Sequence, residues 1–220
     1  MKRLLSLNSA LLLVLIFAIS SCVSDLEEAQ EPVVSEAELL VEEESEGGEN
    51  LRRGVFGKNR SRFYFERFQN TLSVIPGDGF NPETLENAFV PGTGKGRATF
   101  MGNATTFLNQ FTQLGPEGLG TIGKPVTQFY GQQLAELGIT NVPDEVSSIT
   151  ADAKGNSVWF KNLGNKITPV SETRFNFEAD VEVIGGTGRF ENATGKGKVR
   201  GFFNPMTQEG SSIIFGRIKF

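Results

Sequence analysis

The stretch "VIGGTGRFENATGKG", from Val183 to Gly197, decides how the fold of this chain is read. It lacks the Lys-Ser/Thr pair of a P-loop and the G-x-G-x-x-G spacing of a dinucleotide site. The residues that follow have a strand-like pattern, so no helix N-terminus is available to hold a phosphate. We therefore predict that the stretch is architectural. Its glycines turn the chain out of a strand that ends at Val183, and Phe190 folds back as an apolar plug.

The residues just before this stretch alternate between apolar and polar side chains, which predicts a half-buried β-strand. Its apolar face consists of Phe175, Phe177, Ala179, Val181 and Val183. Its polar face consists of Arg174, Asn176, Glu178, Asp180 and Glu182. The three carboxylates suggest either a calcium site or a solvated face paired with the cations of the next strand. Because side chains about 7 Å apart along a flat strand do not converge on one ion, we favour pairing with Lys196, Lys198 and Arg200, and predict no metal site.

The remaining sequence also has the pattern of β-structure. A long aromatic run covers residues 62–75, a hairpin is predicted around "AKGN" at 153–156, and "SSIIFGRIKF" forms a last strand. These runs, separated by glycine and proline clusters, predict an all-β domain of six to eight antiparallel strands. A closed barrel is favoured because it leaves no exposed edge. The last strand is apolar on both faces, which indicates a covered outer side and favours a homo-oligomer.

One segment departs from the β pattern. Residues 115–143 are rich in glycine and proline and contain "KPVTQFYGQQLAELGI". Pro125 stands at a helix start and Gly138 at a helix end, which predicts one short helix inside an insertion. The apolar stripe of this helix is formed by Val126, Phe129, Tyr130, Leu134 and Leu137.

The N-terminus has the features of a secretory signal. Lys2 and Arg3 precede the apolar run "ALLLVLIFAI", which is too short to span a bilayer. The run ends at "ISSC", which resembles the lipobox of bacterial lipoproteins. We therefore predict a signal peptide over residues 1–21 and acylation of Cys22, including palmitate. The predicted location is the cell envelope, anchored to the outer membrane on its periplasmic or its surface side.

An acidic segment follows the predicted anchor. Residues 23–50 contain eleven Asp and Glu and no Lys or Arg, so we expect a solvated tether over residues 22–60. Residues 51–220 contain 19 Lys and Arg against 15 Asp and Glu. This small excess of positive charge is not typical of a nucleic-acid-binding domain, and no nucleic-acid partner is predicted.

The glycine motif resembles a known signature. "IGGTGRFENATGKG" is similar to the G-G-T/S-G-x-F-x-x-A-x-G motif of plant dirigent proteins, allene oxide cyclases and secreted bacterial proteins with the same barrel. Upstream, "GKGRATFMGNATTF" resembles a strand of the bacterial relatives, with Phe100 where those often have histidine. The resemblance covers roughly residues 61–220 and implies an eight-stranded antiparallel barrel with a mostly apolar interior, often oligomeric in plants. The resemblance does not identify any catalytic residue in this chain. The matching positions are Gly185, Gly186, Thr187, Gly188, Phe190, Ala193 and Gly195.

The residue types limit the chemistry. The chain has no histidine, and its single cysteine is Cys22, which excludes Cys-His nucleophiles, Ser-His triads and the usual zinc sites. No cofactor is predicted. Trp159, Phe175 and Phe177 either line a ligand cavity or simply fill the barrel.

Three functions remain open. We favour a non-catalytic envelope lipoprotein whose barrel binds a small apolar or aromatic ligand or a partner protein. The alternatives are a cyclase or isomerase acting on an unsaturated lipid or a phenolic compound, and a structural subunit of the cell surface. The enzyme requires a cavity with a buried carboxylate or paired polar groups.

Overall fold

The computed structural model describes residues 60–220. The predicted signal peptide, Cys22 and the acidic segment lie outside these residues. Within the described part of the chain, no helix has the length and apolarity needed to cross a bilayer.

The described chain is almost entirely β-structure. Its only α-helix of regular length, α1, spans Thr127–Glu136, and a single 3-10 turn spans Gly188–Phe190. The ten strands are β1 Arg62–Leu72, β2 Ile75–Asn81, β3 Glu86–Ala98, β4 Gly102–Gly115, β5 Gly118–Gly123, β6 Ser148–Ala151, β7 Ser157–Ser171, β8 Arg174–Thr187, β9 Thr194–Asn204 and β10 Glu209–Lys219.

The strands close into a ring. Neighbouring strands run in the order β3, β1, β10, β9, β8 and β7, and β4 closes the circuit by pairing with β3. Between β4 and β7, one position is shared by β5 and β6, each of which pairs with part of both neighbours. β1 and β2 likewise share one position beside β3. The ring therefore has eight positions and only antiparallel pairs, which confirms the predicted all-β barrel of about eight strands.

Glycines on β3 make room for the large inward side chains of β1. Register places Gly96 opposite Phe68 and Gly94 opposite Asn70. A Cβ atom at Gly96 would lie 1.9 Å from the carbonyl oxygen of Arg67 and 2.8 Å from the ring of Phe68. The inner face of β3 is thus flat, and β1 fills the barrel at that point.

The glycine motif lies at a bulge, not at the end of a strand. β8 continues through Thr187, beyond the predicted end at Val183. The register with β7 shifts opposite Gly185, which is typical of a β-bulge. The turn itself begins at Gly188, whose φ of +60° lies in the left-handed region. The following 3-10 turn delivers Phe190 into the core, where it is fully buried, as predicted.

The 115–143 segment covers the outer wall of the barrel. Its helix was predicted, and Gly138, at φ +76°, ends it. The segment is not purely a helical insertion, because β5 belongs to the barrel wall. The apolar face of α1 and the loop after it pack on the outer face of β4 and β6. This outer cluster contains Phe107, Val126, Leu134, Ile139, Val146, Ile149 and Ala151.

Substitution of Gly186, next to the bulge, or of the plug Phe190 should lower stability. A Cβ atom at Gly186 would lie 2.1 Å from the carbonyl oxygen of Ser157, so we expect Gly186→Ala to cost about 1–3 kcal/mol of unfolding free energy. Phe190→Ala should cost about 3–5 kcal/mol, because it empties a fully buried site. Chemical denaturation followed by circular dichroism measures both changes.

Gly131→Ala is the matched control. It adds the same methyl group to α1, where the nearest atom is 4.0 Å away, and should raise stability by up to about 1 kcal/mol through helix propensity. Full stability of Phe190→Ala would contradict its assignment as a plug.

Candidate ligand site inside the barrel

Aromatic side chains seal one end of the barrel, where β1 begins and β10 ends. The ring centroids of Phe190 and Phe220 are 4.7 Å apart, and those of Phe100 and Phe220 are 5.2 Å apart. The guanidinium carbon of Arg62 lies 4.9 Å from the centre of the Phe220 ring. We call this the sealed end. It closes the interior to solvent on that side.

A carboxylate, Glu66, is buried in the middle of the barrel. It alternates on β1 with the inward residues Tyr64 and Phe68, and is 1% exposed. The Tyr64 hydroxyl donates a hydrogen bond of 2.6 Å to one of its oxygens, and the Thr150 hydroxyl donates one of 3.1 Å to the other. Thr150 belongs to β6, three positions round the ring from β1. The carboxyl group therefore links two distant parts of the wall across the interior.

Burial changes the protonation of this cluster. Desolvation raises the pKa of Glu66 from 4.5 to about 7, although the hydrogen bonds from Tyr64 and Thr150 act to lower it. Burial, and then the neighbouring Glu66, raise the pKa of the Tyr64 hydroxyl well above 10. Tyr64 therefore remains a donor at neutral pH. Glu66 is close to half-protonated there, which is the range suited to proton transfer if a substrate can reach it.

At the other end of the barrel, where β1 stops at Leu72 and β9 at Asn204, a cavity of about 340 Å³ is lined in part by Asn70, Asn204 and Glu209. We call this the open end. Its rim carries exposed apolar side chains at Leu114, Val170 and Met206. Just inside this open end, β8 directs Phe175 and Phe177 inwards, and both rings are only half-buried.

These inward rings form an aromatic arc on β8 and β9. Phe175 is opposite the buried Phe203, and Phe177 is opposite Gly201. A Cβ atom at Gly201 would lie 2.6 Å from the tip of the Phe177 ring, so this glycine leaves the space that the ring occupies. The arc is an apolar surface that a small molecule entering from the open end would meet.

The wall formed by β4, β5 and β7 is polar. The side-chain oxygen of Gln110 accepts hydrogen bonds from Asn162 at 2.9 Å and from Thr121 at 3.2 Å. Register places Asn165 on the same inner face, opposite Thr121, and its Oδ1 atom is buried without a partner within residues 60–220. The open half of the interior thus has one aromatic and one polar side.

Asn70 lies on β1 in the same row as Phe203 and Phe175. It is 5% exposed, and its Nδ2 atom donates a 2.9 Å hydrogen bond to the hydroxyl of Ser212. Its Oδ1 atom is buried over Gly94 and has no hydrogen-bond partner among the described residues. A buried acceptor without a donor costs about 1–3 kcal/mol, so this atom is a natural place for a donor from a ligand.

Two of the three predicted cavity residues face the barrel interior, and one lies on the outer face. Phe175 and Phe177 face the interior, but Trp159 does not. Trp159 pairs with Ile149 and Gly185 on the outer face of the wall, and its Nε1 atom donates a 2.8 Å bond to Ser157. The predicted grouping of Trp159 with the two phenylalanines was therefore wrong, because it ignored which face of β7 this residue occupies.

Two further residues of the glycine motif, Ala193 and Gly195, contribute to the packing of the barrel. Ala193 is buried in the core cluster around Phe190. A Cβ atom at Gly195 would lie 2.3 Å from the carbonyl oxygen of Arg217 on β10, so this position requires close backbone approach. Neither residue contacts the open half of the interior.

The three carboxylates of β8 pair with the cations of β9, as predicted. Register sets each opposite its partner, and the closest ion-pair distances are 3.2 Å for Glu178 with Arg200, 3.0 Å for Asp180 with Lys198 and 4.0 Å for Glu182 with Lys196. Residues 60–220 contain no group of three side chains placed to hold a metal ion.

Sequence reasoning missed Glu66 and Asn70, although a signal was present. In "RFYFERFQNTL", the residues that alternate with Arg67 and Gln69 are Tyr64, Glu66, Phe68 and Asn70. Two polar residues on the face that carries Tyr64 and Phe68 indicate a polar group inside a core, which is uncommon without a role or a partner.

The fold and this interior define a closed antiparallel barrel with one sealed and one open end. No family model and no curated protein matches the chain. Among solved structures, it is similar to the pterocarpan synthase dirigent protein GePTS1, with 10% identity, a TM-score of 0.45, and coverage of 73% of this chain and 87% of that one.

The stability of the protein should depend on pH through Glu66. Its folded-state pKa of about 7 exceeds the unfolded value of 4.5, so the folded state binds more protons between these values. The stabilisation is complete below pH 4.5 and is lost as the pH rises through 7. At about 1.4 kcal/mol for each pKa unit, the unfolding free energy should fall by roughly 3 kcal/mol.

Denaturation curves at several pH values measure this slope. Glu66→Gln retains the size of the side chain and removes its titration, so its stability should vary much less over the same range. Glu136→Gln, an exposed carboxylate on α1, is the control and should keep the wild-type slope. An equal slope in Glu66→Gln would contradict a buried, titrating Glu66.

Proposed function

We propose that this chain is a lipid-anchored envelope protein whose barrel binds a small aromatic or apolar ligand carrying a hydroxyl group. The ligand enters at the open end. The main support is the unpartnered Oδ1 atom of Asn70, in the same row as Phe203 and Phe175 of the aromatic arc.

Each side of the interior would contribute a different interaction. The half-buried rings of Phe175 and Phe177 provide apolar contact, and aromatic pairs add about 0.5–1.5 kcal/mol beyond the buried area. Asn70 accepts a hydrogen bond from the ligand hydroxyl. The polar wall, including the unpartnered Oδ1 atom of Asn165, favours ligands with a second polar group. These features suit a phenolic compound or an unsaturated alcohol.

A pair of matched probes tests this assignment. Binding of 1-naphthol and of 1-methoxynaphthalene, which lacks the donor, is measured by their fluorescence. The wild-type protein should bind 1-naphthol about tenfold more tightly, the value of one hydrogen bond to a buried acceptor. Asn70→Leu should remove this preference, and Phe177→Ser should weaken the binding of both probes.

Phe100→Ser is the control for loss of an accessible phenylalanine, because Phe100 lies at the sealed end. It should leave both affinities unchanged. Equal affinity of the two probes for the wild-type protein, or an equal loss in Phe100→Ser, would assign binding to a site other than the open end.

A cyclase or isomerase activity is the second candidate, favoured by the buried carboxyl group of Glu66. A pKa of about 7 makes Glu66 able to take or give a proton at neutral pH. Phe68 lies between Glu66 and Asn70 on the inner face of β1, so a ligand at Asn70 reaches Glu66 only if this ring moves. The geometry thus favours binding without catalysis. Turnover of a bound ligand that is lost in Glu66→Gln, with affinity unchanged, would favour the enzyme.

The anchor is proposed from the signal sequence and the single cysteine. Cells that express the chain and are fed radiolabelled palmitate should incorporate the label into the protein, and Cys22→Ser should abolish the label. A labelled Cys22→Ser protein would rule out this cysteine as the acylation site. Outer-membrane fractionation of the wild-type protein tests the proposed location.

A further inference from the structure

The outer face of β1 and β3 carries a groove of about 490 Å³ lined by basic side chains. We call it the basic groove and define it by Phe65, Arg67, Lys95, Arg97 and Thr99. Arg67, Lys95 and Arg97 are all exposed. The groove lies on the opposite side of the wall from the ligand site, because β1 directs Glu66, Phe68 and Asn70 inwards.

The cations of this groove are arranged against electrostatic preference. Arg67 on β1 is directly opposite Arg97 on β3, and like charges directly opposite one another destabilise a sheet. Within residues 60–220, the ion pairs involve other cations, and none is made by Arg67, Lys95 or Arg97. The β8–β9 face of the same barrel, by contrast, sets a carboxylate opposite each cation. An anion between Arg67 and Arg97 would relieve the repulsion.

An apolar strip adjoins the groove. Phe63 is 43% exposed, and Phe65 is opposite the partly exposed Phe215 on β10. Ile213 is opposite Arg67 on the same outer face. A surface that combines exposed aromatic rings with arginine and lysine side chains matches the interface of a lipid bilayer, where rings enter the headgroup layer and cations contact phosphates.

We propose that the basic groove docks the barrel on the surface of an anionic lipid bilayer. A lipid phosphate lies between Arg67 and Arg97, and Phe63 and Phe65 contact the outer part of the acyl layer. The apolar strip favours a lipid over a soluble polyanion. A second copy of the chain fits this face poorly, since a two-fold contact would bring two sets of unpaired cations together. The contact does not depend on the ligand site or on acylation of Cys22.

Vesicle co-sedimentation tests the proposal. Residues 22–220 with Cys22→Ser are used, so that neither the apolar run of the predicted signal peptide nor an acyl chain contributes. This chain should bind vesicles of phosphatidylcholine with phosphatidylglycerol, bind vesicles of phosphatidylcholine alone much less, and lose binding as salt is raised. Arg67→Gln/Arg97→Gln should weaken binding to the anionic vesicles about thirtyfold, from about 1 kcal/mol for each cation lost near the surface. Phe63→Ser should weaken it as well.

Lys196→Gln/Lys198→Gln is the matched control, because it removes the same charge from the paired face. It should bind nearly as well as the parent chain, and the circular dichroism of all variants should be unchanged. Equal binding to both kinds of vesicle, or an equal loss in the control, would overturn the proposal. Arg67-dependent retention on heparin without vesicle binding would assign the groove to an acidic polysaccharide instead, and a stable dimer broken by Phe63→Ser would assign it to a second copy.

Discussion

The barrel depends on large side chains of one strand packing against glycines of its neighbours. Phe68 and Asn70 of β1 fit because Gly96 and Gly94 of β3 lie opposite them, and Phe177 of β8 fits because Gly201 of β9 does. A small barrel has room for about one layer of large side chains at each level, so a bulky residue on one strand requires a small one beside it. Gly94, Gly96 and Gly201 are therefore part of the core packing and do not mark turns.

The same constraint divides the interior into three levels. At the sealed end, Phe190 and Phe220 pack ring against ring. In the middle, Glu66 is held by Tyr64 and Thr150, which fixes the distance between distant walls at the cost of burying a carboxyl group. Towards the open end, Gly94 leaves the space that the side chain of Asn70 occupies, and the Oδ1 atom of Asn70 has no hydrogen-bond partner among the described residues. Gly201 likewise leaves the space that the half-buried ring of Phe177 occupies. The side chains named are less completely buried at the open end, where Phe175 and Phe177 are half-buried, than Phe190 and Glu66 are further in.

Local pattern was enough to predict much of this fold. The alternation over residues 174–183 predicted the correct inner face of β8, and the glycine stretch predicted Phe190 as a plug. The barrel of about eight strands was implied by the resemblance of the glycine motif to a known signature. Trp159 was misplaced because its short hairpin has too few residues to show which face is buried. β5 was missed because "GLGTIG" has almost no side chains to alternate. Thr150, which donates a hydrogen bond to Glu66, lies 84 residues away in sequence. Local pattern could not predict this bond, because it depends on the register of the whole ring of strands.

Because β1 pairs with β10, the barrel closes only when the first and the last strand of residues 60–220 meet. On one edge of β1, residues 62–71 pair with residues 209–218 of β10, and the other edge pairs with β3. β1 and β10 both border the sealed end. During synthesis, the first strand thus remains unpaired on one side until almost all of the barrel sequence has left the ribosome. Such long-range closure is slow, since loop entropy must be overcome before the contacts form. The barrel therefore closes as a late step of folding, after its last strand has been made.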